Sequence, residues 1–246
     1  MDRLRATIPA PRLAPYVRVC RGTDVDPITL YRWASDVALA VFDDVGTVEV
    51  AVRSAMAHQL ARVYGLRWYE DASLLDDDTL KLVRQAFSRG RLATLAVPDD
   101  VLHGKLVATL MFGFWIKLLG RGGFQGAGDQ RARRFYDEQL WKPALRHAFP
   151  NVGALERQRV EKAARRVQFL RNRVAHHEHI IWGVPLIGER SADGVPVRAA
   201  LSDVHRTLKD LAGYVDADLQ GWLDDHSRVP ATLASCPLPG HIGLLI

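Results

Sequence analysis

Apolar residues recur at three-, four- and seven-residue intervals through most of the chain, the spacing that amphipathic helices require. The clearest example covers residues 28–65, where Gly65 is placed to end a helix. Its spaced apolar positions are Val41, Val45, Val48, Val52, Met56 and Val63. This pattern predicts one long helix, or two helices that break near Asp43–Gly46.

The same reasoning predicts helices over residues 71–90, 98–123, 131–150 and 202–225, and one that begins at Asn151. The segment 98–123 is apolar nearly all round and is expected to be a central buried helix. Pro143 predicts a kink in the segment 131–150. Residues 182–201 are rich in glycine and proline and predict a loop or a short hairpin.

These patterns favour an all-α fold, because alternating βα patterning is missing from the sequence. We expect an N-terminal arm over residues 1–27, a single all-helical domain over 28–226, and a C-terminal tail over 227–246. The glycines between Gly120 and Gly128 predict a linker. The GxxxxGK[ST] phosphate-binding pattern is absent there and no predicted strand precedes them.

Composition narrows the classes of protein only slightly. Hydrophobic residues make up 48% of the chain and charged residues 25%, as in ordinary globular proteins. No apolar run reaches the ~18 residues of a membrane span, and no apolar leader opens the chain, so we expect no membrane partner. The two cysteines have no CxxC spacing, and with the lack of a leader they favour the cytoplasm. The net charge of +5 is compatible with a polyanionic partner.

The stretch QFLRNRVAHHEHIIWG at residues 168–183 concentrates the candidate chemistry. At about 100° per residue, Arg171 falls about 20° from Val160, within an apolar stripe, and is expected to be buried or in an interface. Asn172 and His176 lie on a flanking face, one turn apart. Arg171 could equally form a structural ion pair. His176 could equally be an ordinary histidine that favours a helix C-terminus.

A candidate metal cluster is formed by His176, His177, Glu178 and His179. It contains residue types that bind metals but not the spacing that a metal-binding motif has. The HExxH pattern is not matched, and adjacent helical residues point about 100° apart, so we expect no metal and no cofactor. Upstream of the cluster the helix is basic, which suggests a footprint for a phosphate backbone. The residues expected to bind RNA are Arg165, Arg166 and Arg173. A solvated charged face is the alternative.

A second candidate group lies in the segment VEVAVRSAMA, on the first long helix. Glu49 falls at the edge of the apolar stripe, one turn before Arg53. The two can pair within the helix, and Glu49 could also reach Arg171.

Several segments of this chain resemble the Abi-like, abortive-infection branch of the HEPN ribonuclease superfamily. RNRVAHHE resembles the RxxxxH motif of that superfamily, with Arg171, Asn172 and His176 in the motif positions. LYRWASDV, VEVAVRSAMAHQL, GKLVATLMFGFWIKLL and LWKPALRHAFPN also match, in the family's order, over most of residues 28–180. In the family the upstream arginine is commonly followed by asparagine, whereas Ser54 follows Arg53 here.

The resemblance implies an HEPN-like helical bundle, here with extra helices, that acts as a metal-independent endoribonuclease in phage defence or as a toxin. It implies a homodimer in which two copies of the motif meet. Arg171 and His176 lie about 140° apart on one helix, so a symmetric pair of helices could aim both at one phosphate more easily. Arg171, Asn172 and His176 are then catalytic, and Glu49, Arg53, His177 and Glu178 support them.

Two other functions stay open at this point. The chain could be a catalytically inactive HEPN-like module that binds RNA or a protein. A metal hydrolase that uses the histidine–glutamate cluster is the weaker alternative. A toxin of this class is also expected to need restraint by an inhibitory partner protein or RNA, which the sequence does not name.

Overall fold

The computed structural model describes residues 6–153 and 156–238, and this part of the chain is mostly helical. The helices are α1 (Ala10–Val19), α2 (Pro27–Tyr64), α3 (Asp77–Arg89), α4 (Asp99–Thr109), α5 (Phe112–Leu118), α6 (Glu156–Ala175), α7 (Leu201–Val215), α8 (Ala217–His226) and α9 (Val229–Ala234). The strands are β1 (Phe124–Gln125), β2 (Ala132–Arg133), β3 (Val184–Arg190) and β4 (Pro196–Ala199). β1 pairs with β2, and β3 pairs with β4, both antiparallel. The prediction of a mainly helical fold is confirmed.

The long helix α2 is unbroken over 38 residues, which settles the choice between one helix and two. Its apolar stripe is buried as predicted at Val41, Val45, Val48, Val52 and Met56. Val63, which we expected on the same stripe, is 40% exposed.

The apolar segment 98–123 forms two helices rather than the single one predicted. α4 and α5 meet at an angle of 99°, because Leu110 takes an extended backbone with ψ of 122° that ends the helical ladder. The bend lets both helices bury side chains such as Leu106 and Trp115, whereas a straight helix this apolar would leave more of its surface in water. Among the described residues no single helix has the length and apolarity of a membrane span, and this bent pair reaches them only when both members are counted together.

The prediction of a helix over residues 131–150 is wrong. Its first residues pair as β2 with β1, and the later residues form one π turn at Asp137–Trp141 and one 3₁₀ turn at Leu145–Ala148. Pro143 has no N–H to donate, so a helical ladder cannot continue through it.

Other boundaries differ in detail from the expectation. Residues 202–225 divide into α7 and α8 at Asp216, whose carboxylate accepts the backbone N–H of Asp218 at 2.8 Å and so caps α8. Asn151 does not cap α6: its side chain donates to the carbonyl of Gly213 at 3.0 Å, and α6 begins at Glu156. The segment 182–201 contains the β3–β4 hairpin.

Short helices lie in both terminal segments. α1 lies within residues 1–27, expected to be an arm, and α9 lies within the expected tail. Residues 1–5 and 239–246 of these segments lie outside the described residues.

The described residues divide into two compact units. Unit 1 contains residues 6–46, 169–207 and 222–238, and unit 2 contains residues 47–153, 156–168 and 208–221. The single domain over 28–226 therefore stays a prediction. Unit 2 has an aromatic core in which the rings of Trp68, Phe114 and Trp115 are in mutual contact, with centroids 5.2–6.2 Å apart.

Candidate functional site

The helix α6 carries the residues singled out by the sequence, and its apolar stripe is buried as predicted. The buried positions are Val160, Ala163, Ala164, Val167, Leu170 and Val174. Arg171 projects from the same stripe near the C-terminal end of the helix and is half-buried. Its guanidinium supplies a positive charge at this end of the helix.

Asn172 and His176 are both exposed, one helical turn apart on the flank of the stripe. The backbone N–H of His176 donates to the carbonyl of Asn172 at 3.0 Å, which continues the helical bonding to this position. Their spacing therefore presents an amide and an imidazole to solvent on the same side of the helix end. This agrees with the flanking placement that the sequence predicted.

The helix ends directly after these residues in a Schellman motif. His177 has a positive φ of 54°, its N–H donates to Val174, and the N–H of Glu178 donates to Arg173 at 2.8 Å. Glycine usually occupies this left-handed position, because a Cβ atom is disfavoured there. The histidine at this position is therefore a strained element of the helix end.

A second helix covers this end. From α1, Arg12 donates to the carbonyl of His177, and the hydroxyl of Tyr16 lies 2.8 Å from Nδ1 of His179. The ring of Tyr16 is 2% exposed and also contacts Trp182 edge-on, with centroids 4.9 Å apart. Neither Arg12 nor Tyr16 is among the site residues predicted from the sequence, because their segment was expected to be an arm. The apolar spacing of Leu13, Tyr16 and Cys20 could have identified the helix.

Burial sets the protonation of the Tyr16–His179 pair. It raises the pKa of Tyr16 above the usual range, and Tyr31 raises it further while Arg12 lowers it. Burial is also the largest cause that lowers the pKa of His179. The nearby positive charges of Arg12 and Arg173 lower this pKa further. These directions favour a protonated Tyr16 hydroxyl hydrogen-bonded to a neutral imidazole of His179.

A cleft of about 530 Å³ opens beside the helix end within unit 1. Its lining includes Arg12, Tyr31, Leu39, Phe42, His177 and Glu178. Leu39 and Phe42 are 63% and 48% exposed, so the cleft joins an uncovered apolar strip on α2 to a charged helix end. A strip of this kind is typical of a surface that another molecule covers.

Two of the arginines predicted to bind RNA are already paired with carboxylates. Arg173 contacts Glu178 at 2.6 Å, and Arg165 contacts Glu161 at 2.8 Å across one helical turn. Arg166 is half-buried. The basic stripe of α6 is thus partly neutralised by its own chain, as the alternative of a solvated charged face anticipated.

The remaining candidates lie in unit 2. Glu49 and Arg53 are half-buried on α2, one turn apart, and Arg165 and Arg166 lie on the part of α6 that belongs to the same unit. The structure therefore brings Arg171, Asn172, Arg173, His176, His177 and Glu178 together in unit 1. The pairing of Glu49 with Arg171 stays a prediction.

A serine, a histidine and an aspartate also meet in unit 1. Nε2 of His205 lies 2.7 Å from Oδ2 of Asp44 and 3.3 Å from Oγ of Ser227, and Ser227 donates to the same carboxylate oxygen at 2.6 Å. A proton relay needs the histidine between nucleophile and carboxylate, with one ring nitrogen for each. Here one nitrogen faces both, and Ser227 also accepts the N–H of Val229. The hydrogen bonds of this cluster therefore join α2, α7 and the start of α9.

Within residues 6–153 and 156–238, no group of three or more histidine, cysteine, aspartate or glutamate side chains is placed to hold a metal ion. No family model, curated protein or solved structure matches the chain.

Proposed function

We propose that the protein is a metal-independent endoribonuclease that acts in phage defence or as a toxin, with Arg171, Asn172 and His176 as its catalytic residues. The observation that carries the proposal is the end of α6. It presents an exposed imidazole and an exposed amide one turn apart, next to a half-buried arginine. The resemblance of RNRVAHHE to the RxxxxH motif supports the same assignment.

The chemistry needs only these groups and RNA itself. The 2′-hydroxyl attacks the adjacent phosphorus, a 2′-O–P bond forms, and the bond from phosphorus to the 5′-oxygen breaks. An imidazole can accept the 2′ proton near neutral pH, which is the role proposed for His176. The guanidinium of Arg171 stabilises the negative charge that builds up on the phosphate oxygens. The departing 5′-oxygen takes up a proton, which gives a 2′,3′-cyclic phosphate and a 5′-hydroxyl.

A homodimer would complete this site. Arg171 and His176 point about 140° apart around one helix, so two copies of α6 would place both types of group at one phosphate more easily than one copy. The exposed apolar strip that contains Leu39 and Phe42 lies beside the helix end and supplies a surface that a second copy could bury.

Purified protein tests the proposal directly. Wild type, His176→Ala and the control His147→Ala are incubated with a mixed-sequence single-stranded RNA in EDTA, and the ends of the products are identified. His147 is exposed and lies in unit 2, so its replacement should leave cleavage unchanged. We expect His176→Ala to lower the initial rate by about 10²–10⁴-fold. Equal rates for all three proteins would overturn the assignment of His176.

A bacterial host tests the biological role. Expression of wild type should slow growth and shorten cellular RNA, whereas His176→Ala should do neither at equal protein levels. Sequencing of 5′-hydroxyl ends would then identify the substrate. Equal growth and equal RNA integrity with both proteins would contradict the toxin assignment.

The second candidate function is a catalytically inactive module that binds RNA or a protein. The observation that favours it is the internal use of the helix end, where Arg12 donates to His177 and Arg173 pairs with Glu178. In that case wild type would bind RNA and leave it intact, with or without a divalent metal added. Cleavage that EDTA abolishes would instead favour the metal hydrolase.

A further inference from the structure

Residues 121–136 of unit 2, predicted as a linker up to Gly128 and as a helix from residue 131, form an ordered hairpin. Phe124 pairs with Arg133 and Gln125 with Ala132, and the N–H of Arg134 donates to the carbonyl of Gly123 at 2.8 Å. Gly122 has a φ of 74°, and a Cβ atom there would lie 2.3 Å from the carbonyl oxygen of Arg134. The glycine is therefore required for the close approach of the two strands.

The hairpin carries two large aromatic rings at the surface. Phe124 is 44% exposed and Phe135 is 55% exposed. Arg131 lies over the ring of Phe124, with Cζ 4.2 Å from the centroid, and Arg133 lies 5.4 Å from the centroids of both rings. The result is a surface on which guanidinium groups and phenyl rings alternate, and we name it the arginine–phenylalanine hairpin.

The cations of this surface are available for a partner. Arg121, Arg131 and Arg133 are exposed, and none of them forms an ion pair within the part of the chain that the structure describes. Asp129 is the one carboxylate in the sequence from Arg121 to Tyr136. The arrangement differs from α6, where Arg165 and Arg173 each contact a glutamate.

Carboxylates also lie beneath the hairpin. Asp76, Asp77 and Asp78, around the start of α3, line a cleft of about 520 Å³ with Phe124 and Arg131. Each has another partner: Asp76 accepts the N–H of Thr79 at 2.8 Å, Asp77 accepts the N–H of Gly126 at 3.3 Å, and Asp78 pairs with Lys117 at 3.1 Å. The bond from Asp77 ties the hairpin to α3, and within the described residues none of the three carboxylates forms an ion pair with Arg121, Arg131 or Arg133.

We propose that the arginine–phenylalanine hairpin binds single-stranded nucleic acid. Unpaired bases would stack on Phe124 and Phe135, and the guanidinium groups of Arg121, Arg131 and Arg133 would contact the phosphates. Stacking of a base on an aromatic side chain contributes about 1–3 kcal/mol and tolerates any base. Arginine planes can stack on bases as well, and phosphate contacts add a salt-dependent attraction. A duplex would fit less well, because its bases are already stacked on one another.

This binding does not depend on the proposed cleavage, and the test separates the two. Fluorescence anisotropy is measured with labelled 12-nucleotide single strands of DNA and RNA and with a 12-base-pair DNA duplex, using His176→Ala as the background. DNA has no 2′-hydroxyl and cannot be cut by the proposed reaction. The two single strands distinguish RNA from DNA as the source of the ligand, and tight binding of either one supports the proposal.

Three double variants in that background identify the contacts. Phe124→Leu with Phe135→Leu keeps apolar side chains but removes the stacking planes. Arg131→Gln with Arg133→Gln removes two charges. The control, Arg62→Gln with Arg84→Gln, removes two charges from exposed positions of unit 2 outside the hairpin. Thermal unfolding of each variant establishes that it is folded before binding is measured.

We expect the phenylalanine variant to bind single strands at least 10-fold more weakly, with little change in the salt dependence. The arginine variant should bind more weakly and lower the slope of log K against log salt by about 1–2, since each phosphate contact to a single strand contributes about 0.7. The control should retain more of the affinity than either. The proposal is overturned if the phenylalanine variant binds as tightly as its parent, if the control loses as much affinity as the arginine variant, or if the duplex binds more tightly than both single strands.

If the phenylalanine variant unfolds, Arg131→Lys with Arg133→Lys replaces it. That variant keeps both charges and loses the guanidinium planes. Weaker binding with an unchanged salt slope then supports stacking, and unchanged affinity overturns it.

Discussion

The end of α6 and the arginine–phenylalanine hairpin both combine arginine with aromatic side chains, yet they use them in opposite ways. At the end of α6, Arg12 and Arg173 are bound to a carbonyl and a carboxylate, and the ring of Tyr16 is buried. In the hairpin, Arg131 and Arg133 lie over exposed rings and form no ion pair among the described residues. A positive charge that its own chain neutralises contributes little to binding a polyanion. The hairpin is therefore the better electrostatic target for a polyanion, whereas the proposed site at the end of α6 uses Arg171, Asn172 and His176.

The largest difference between the two regions should appear in the free energy of unfolding. Tyr16→Ala removes a buried ring and the hydrogen bond to His179, and we expect a loss of about 3–5 kcal/mol. Phe124→Ala removes a ring that is 44% exposed, and we expect a loss below about 1 kcal/mol. Urea unfolding of both variants at pH 7.5 measures the two losses. Similar losses would show that the ring of Phe124 belongs to a core as the ring of Tyr16 does.

The response to pH should also distinguish the two regions. Burial lowers the pKa of His179, so the unfolded chain binds a proton at this residue more readily than the folded protein does. The contribution of His179 is therefore fully present above its unfolded pKa, about 6.5, and is lost as the pH falls from there towards the folded pKa. Between pH 7.5 and 5.5 we expect a steeper loss of stability in wild type than in His179→Gln.

A matched control comes from the hairpin, which contains no histidine between Arg121 and Tyr136. The variant Phe124→Leu with Phe135→Leu should keep the pH dependence of wild type. Burial also lowers the pKa of His103, but that residue is present in every protein compared and its effect cancels. Identical pH profiles of stability for wild type and His179→Gln would contradict the prediction that burial lowers the pKa of His179.

The smallest expected effect concerns the left-handed residue at the end of α6. His177 has a φ of 54°, and glycine adopts that conformation without a steric penalty from Cβ. We expect His177→Gly to raise the free energy of unfolding by about 0.5–1 kcal/mol, less the greater freedom that glycine gives the unfolded chain. Arg91→Gly, at φ 50° in unit 2, is the matched control and should give a similar gain. A loss in His177→Gly alone would show that the imidazole makes a stabilising contact.

Periodicity predicted the parts of the fold in which one helix face packs throughout. The stripes of α2 and α6 are such cases, since each repeats an apolar residue at every turn. The segment 98–123 failed because it is apolar all round, so its pattern does not indicate where a bend would bury more surface. The segment 131–150 failed because its first residues pair with β1, a contact that local spacing cannot reveal.

The candidate site could also be predicted only in part from the sequence. The exposure of Asn172 and His176 follows from their angle on α6 and could be predicted. The Schellman motif could not, because a histidine stands where glycine is the usual signal. The bond between Tyr16 and His179 joins residues 163 positions apart, which no local pattern encodes. The proximity of Phe124 and Phe135 to Arg131 and Arg133 could not be predicted either, because it depends on the pairing of β1 with β2.

The hydrogen-bonded cluster of Asp44, His205 and Ser227 has a consequence for synthesis of the chain. Its three members leave the ribosome in the order Asp44, His205 and Ser227, and all of unit 2 except residues 208–221 emerges between the first two. At about 5–20 residues per second, Asp44 waits on the order of ten seconds or more for its partners. During that interval Asn172 and His176 have been made but their supporting unit is incomplete. Unit 1, which contains both residues, can therefore be completed only after Ser227 has been made.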